Sequence, residues 1–148
     1  MRRRYAREKA LQILFQIDVG KNDIEEAIIH AFSQEDNLSQ ETSFIRKLVE
    51  GTRVHLVEVD DVIEKYSVGW ELSRMANVDR NILRVAVYEL LFEQEDVPAG
   101  VVVNEAVELA KLFGTIQSGK FVNGVLGKVV TDTDRLRKMS QGNVGADA

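Results

Sequence analysis

Apolar side chains recur at Ala6, Ala10, Ile13, Leu14 and Ile17, the three-and-four spacing that turns one helix face toward a core. The pattern stops at Gly20 and the polar run Lys21-Asn22-Asp23, so a helix over about residues 3–19 is predicted. A short helix from Ile24 to Phe32 and a polar loop, SQEDNLSQET, come next, with Ser39 to Thr42 available as caps. Ile45, Leu48, Val49, Thr52, Leu56, Val59, Ile63 and Tyr66 then hold helical spacing across 44–66 and predict one long helix. Gly51 weakens it by about 1 kcal/mol relative to alanine.

SVGWELS breaks the chain, and a short helical turn is expected before Asn77, which is placed to cap VDRNILRVAVYELLFEQ. Ile82, Leu83, Val85, Ala86, Val87, Tyr88, Leu90, Leu91 and Phe92 cover most of that segment's circumference, the mark of a central, buried helix. Pro98 marks a boundary before VVVNEAVELAKLF, whose β-branched start suggests a strand but whose length and Ala, Leu, Glu and Lys content favour a helix. Gly114 reads as a left-handed terminator, TIQSG as a connection, and Ser118 as the cap of a last helix that buries Val122, Val125, Leu126 and Val129. Beyond Thr131 the chain turns polar and glycine-containing, which predicts a flexible tail. No alternating strand pattern or internal repeat interrupts this series, so the fold class is all-α, with about seven helices and short connections.

Composition narrows the chemistry. The 148 residues, 45% hydrophobic and 29% charged, suit one globular domain whose core needs no staple. Cysteine is absent, which excludes disulfides and thiolate nucleophiles and suits a reducing cytoplasm. The two histidines, His30 and His55, leave little for a metal site. His55 and Glu58 form a single H-x-x-E unit where a helical two-metal centre takes two, so a solvated helix face is the reading. Nothing brings His30 and His55 together as an acid/base pair. Walker and GxGxxG patterns are missing, and no cofactor is expected. No run approaches the ~18 apolar residues of a membrane span, and no apolar stretch follows the basic start as in a signal peptide.

Charge is the one asymmetry. The net charge is −5, yet Arg2, Arg3, Arg4, Arg7 and Lys9 against Glu8 make the opening +4 and leave −9 for the remainder. Overall acidity argues against coating nucleic acid, but a local basic patch still suits phosphate. On a helix Arg4, Arg7, Leu11 and Phe15 share a stripe offset from the core stripe. Guanidinium groups beside an aromatic fit single-stranded RNA, the cations on phosphate and the ring on a base. The same residues also fit a solubilising end with Phe15 in the core, and charge pattern alone leaves both open.

RRRYAREKALQILFQ, DRNILRVAVYEL, VNEAVELAK and SGKFVNGVLGK, in this order and spacing, resemble the NusB family of bacterial transcription antitermination factors, over about residues 3–130. The resemblance implies two small helical bundles, no catalytic centre, and binding of the boxA RNA element together with the ribosomal protein NusE. The setting it implies is the RNA polymerase antitermination complex during ribosomal RNA transcription. Residues 1–131 then form the helical RNA-binding domain and 132–148 the tail. Carried over position by position, the RNA-binding residues are Arg3, Arg4, Arg7 and Phe15 in the first helix and Gln117, Ser118, Lys120 and Phe121 near the last, and the NusE contact is Asp79. Ile116-Gln117 stands where many members carry an acidic pair, and Tyr5 where some carry arginine. Plainer roles compete: Asp79 complementing a helix dipole, Ser118 as a cap, Phe121 as core. Related helical domains also precede RNA cytosine methyltransferase domains as RNA-binding modules, and a purely protein-binding adaptor is the third reading.

Overall fold

The stripe of Ala6, Ala10, Ile13, Leu14 and Ile17 folds as the buried face of helix α1 (Arg2–Gly20). The computed structural model describes residues 2–20, 23, 25–28, 39–93 and 97–133, with the side chains of residues 2, 3 and 39–41 outside the description. After α1 come a helical turn at 25–28, α2 (Ser39–Val54), α3 (Leu56–Tyr66), a 3-10 turn (Leu72–Arg74), α4 (Asn77–Phe92), α5 (Ala99–Phe113) and α6 (Ile116–Thr131). Among the described residues there is no strand. The remainder of the helix expected at 24–32, with His30, lies outside them, as does the tail beyond Thr133. Thr133 itself is buried and donates its hydroxyl to the Val129 carbonyl at 2.8 Å, so packed structure continues past Thr131.

The predicted centre is α4. Every residue from Asn81 to Leu91 is buried, and the helix packs against α1, α2, α3, α5 and α6. Because α1 also packs on α2, and α5 on α6, α4 joins two helical groups through one hydrophobic core. Polar groups inside such a helix need partners, and its buried charges and the Asn81 amide nitrogen have them, while Asn81 Oδ1 has no hydrogen bond among the described residues. Glu89 accepts a two-pronged hydrogen bond from Arg7 of α1, at 3.0 and 2.7 Å. Arg84 forks onto Asp60 of α3, at 2.9 and 3.0 Å. Asn81 donates to Asp18 of α1 at 3.1 Å, and Arg80 donates to the same carboxylate at 2.7 Å.

The stretch 44–66 is not one helix. His55, at φ −102° and ψ 22°, leaves helical geometry and separates α2 from α3. Its ring stacks on Phe92 with centroids 3.9 Å apart. One turn earlier Gly51 backs onto Tyr88 so closely that a Cβ would come within 2.6 Å of Cε1. Packing on α4 therefore shapes this region, and Gly51 is a close-approach glycine. Helix ends also differ from expectation. α2 begins inside the stretch read as a loop, at Ser39. Ala76, not Asn77, is the residue before α4, with no side-chain cap, and Asn77 accepts from Arg80 instead. Gly114 closes α5 at φ −109°, outside the left-handed region.

Candidate nucleic-acid interface

The corner between α5 and α6 is set by local hydrogen bonds. Thr115 is extended, and its Oγ1 accepts from the Ser118 amide at 3.2 Å while Ser118 Oγ accepts from the Thr115 amide at 3.0 Å. This reciprocal capping box satisfies two otherwise orphaned donors. The cap is thus Thr115, three residues before the predicted one, and Ser118, 5% exposed, is the third residue of the helix. Gly114 is required by space, since a Cβ there would lie 2.9 Å from the Ala110 carbonyl oxygen and collide with Ser118. From this corner Gln117 and Lys120 extend exposed, while Phe121 is half-buried at the edge of the core. Lys120 has no ion pair among the described residues.

Facing them is Trp70, presented by a turn in which its amide donates to the Ser67 carbonyl at 3.0 Å. The turn needs Gly69, whose φ of +85° disfavours any L side chain. Trp70 meets Phe121 edge to face, with centroids 5.8 Å apart. Met75, Ala76 and Asp79, at the start of α4, complete an open groove of about 720 Å³ that these residues share with Gln117, Ser118 and Lys120. Asp79 lies in the first turn of α4, where the helix dipole favours an anion, and its Oδ1 is buried without a hydrogen-bond partner among the described residues.

The basic opening does not join this groove. Arg4 is exposed and forks onto Glu105 of α5, at 2.9 and 2.7 Å. Eight residues, about 12 Å of helix, separate Glu105 from the end of α5 at Phe113. Arg7 and Leu11 leave the surface stripe altogether. Arg7 is 4% exposed, with its guanidinium spent on Glu89 and 5.6 Å from the Phe44 ring centroid. A surface RNA contact by Arg7 is therefore withdrawn: a buried carboxylate in α4 demands its charge. The Ser118 hydroxyl serves the cap, while the residue still lines the groove. Phe15 remains on the surface, 37% exposed, and Arg3 lies in α1 with its side chain outside the description.

The sequence pattern of the NusB family fits residues 4–131. The chain belongs to the NusB family. It is 49% identical over 134 residues to the transcription antitermination protein NusB of Desulforamulus reducens, covering 90% of this chain and 93% of that one. To the Bacillus subtilis protein of the same name it is 49% identical over 135 residues, covering 91% and 99%. The fold superposes on T. maritima NusB with a TM-score of 0.81 at 37% identity, covering 88% of this chain and 91% of the other. A chain of the crystal structure of antitermination factors NusB and NusE in complex with dsRNA gives a TM-score of 0.80 at 30% identity, covering 88% and 96%.

In this NusB-family chain two carboxylates are held below their ordinary range. At Glu105 the hydrogen bond from Arg4 is the main cause, opposed by burial. At Asp18 burial pushes the carboxyl up, but hydrogen bonds from Arg80 and Asn81 with the charges of Arg80 and Arg84 together outweigh it. Among the described residues no His, Asp and Glu cluster suits a metal, and no helix is long and apolar enough to cross a membrane. Sequence reasoning missed Trp70. Its signal was present: a bulky aromatic after glycine, in an interruption, with no place in any helical stripe.

Proposed function

We propose that this chain is a transcription antitermination factor that takes boxA RNA together with NusE and helps RNA polymerase resist termination during ribosomal RNA synthesis in the cytoplasm, without catalysis. The observation that carries the reading is the shared groove: Gln117, Lys120 and Phe121, matched to RNA contacts by the family resemblance, line it together with Asp79, matched to NusE. A lysine for phosphate, an amide with donor and acceptor atoms, and an aromatic ring are what single-stranded RNA recognition uses. A similar chain occurs in a complex with NusE and dsRNA. Arg4, Arg3 and Phe15 supply the α1 side of the interface.

The test is a titration of fluorescently labelled boxA RNA, and of a scrambled RNA of equal length, with and without NusE. Tighter binding of boxA RNA, raised further by NusE, is expected, since two surfaces sharing one strand bind it with linked affinity. Equal affinity for both RNAs with no effect of NusE would overturn the proposal.

A further inference from the structure

We infer that Trp70 is a base-stacking platform, which makes the groove between the starts of α4 and α6 a site for a nucleobase of single-stranded RNA. The inference deepens the RNA-binding reading and rests on it. Trp70 is 54% exposed, although burying an indole is among the larger gains open to a folding chain. Its exposure is built into the backbone. A Cβ on Gly69 would meet no atom within 4 Å, so the positive φ there, and not crowding, calls for glycine. Phe121 touches the indole edge to face and leaves more than half of the tryptophan's surface exposed, at a residue that lines the groove.

The polar groups select among occupants. Lys120 offers a cation and Asp79 a carboxylate within one groove. A bare phosphate would be attracted by the first and repelled by the second. A nucleotide satisfies both, with its phosphate at Lys120 and the N–H donors of a base edge toward Asp79, while its ring lies on Trp70. The groove's volume of about 720 Å³ accommodates a base with its sugar.

Trp70 is the only tryptophan in the chain, so its emission reports on this groove alone. Titration with boxA RNA is expected to change that emission, and titration with inorganic polyphosphate is expected to leave it unchanged. Trp70→Ala is expected to weaken boxA binding about 5- to 150-fold, the range for losing one stacked base, and Trp70→Phe to recover most of it. Trp70→Phe is expected to keep the wild-type melting temperature and Trp70→Ala to lower it only slightly, because more than half of the residue is exposed. Silent emission at RNA saturation, measured by anisotropy of the labelled RNA, overturns this inference and leaves the RNA-binding reading intact. So does wild-type RNA affinity in Trp70→Ala, or a loss confined to NusE binding, which would give the groove to the protein partner. Wild-type protein that fails to bind RNA, alone and with NusE, overturns both.

Discussion

Arg4 and Arg7 sit one helical turn apart and do different work. Arg7→Ala leaves Glu89 buried without its cation, a loss expected to cost about 3–5 kcal/mol, while the intrinsic RNA affinity of the protein that stays folded is unchanged. Arg4→Ala removes a pair whose guanidinium is exposed and whose carboxylate is partly covered, and is expected to lower the melting temperature only slightly. Its effect falls on RNA binding, with the log–log salt slope shallower by about 0.7, one single-strand phosphate contact. Urea denaturation and salt-dependent titrations of both variants check the contrast. Periodicity made the shared face of these arginines legible. Which of them is solvated depends on Glu89, 82 positions away from Arg7 in the chain and visible in the sequence only as a lone acid in an otherwise apolar run.

At the scale of elements, close packing reverses an expectation from propensity. Gly51→Ala, which raises intrinsic helix stability by about 1 kcal/mol, is expected to lower net stability because the new methyl meets the Tyr88 ring. A raised melting temperature would contradict that contact. The join of α1 to α4 predicts an acid response. Asp18 is depressed in the folded chain, so its contribution is present above the unfolded value of about 3.9 and is lost as pH falls through the folded value. Asp18→Asn is expected to be less stable at pH 7 and to lose less stability on acidification below about pH 4, read by urea titrations across pH. Helical character was legible from α1 to α6, whereas the division of 44–66 into α2 and α3 and the starts of α2, α4 and α6 were not. The break at His55 coincides with its stacking on Phe92, and the start of α6 is fixed by a Thr115–Ser118 box that lacks the usual acidic third residue.

For the whole molecule, one buried helix organises everything else. The apolar circumference of α4 announced this in the sequence, because burial on all sides leaves a pattern that needs no knowledge of the neighbours. The groove left no such trace: Trp70 and Phe121 meet only after the chain passes through α4 and α5. A site assembled from the starts of two helices couples its occupants. Asp79→Ala is expected to weaken NusE binding and, by the reciprocity of linked equilibria, to reduce the gain in RNA affinity that NusE brings, with stability lowered by no more than the ~0.3–1 kcal/mol of a helix-dipole contribution. Calorimetric titration of NusE, with and without RNA, measures both sides of that relation.

The fork between Arg4 and Glu105 has a consequence for occupancy. A carboxylate holding a guanidinium by two parallel hydrogen bonds imitates a phosphate, so in the proposed role of Arg4 the α1 surface meets RNA with a decoy already seated on its cation. Every strand that uses Arg4 has to evict the same decoy, whatever its sequence. The eviction lowers all affinities by one factor and leaves their ranking alone, but it lifts the concentration at which unrelated transcripts begin to occupy the protein. Glu105→Gln is therefore expected to tighten boxA and scrambled RNA equally, with their ratio unchanged. On the proposed role of Arg4, that common handicap is expected to raise the RNA concentration needed to fill this surface, so that strands with further contacts occupy it first.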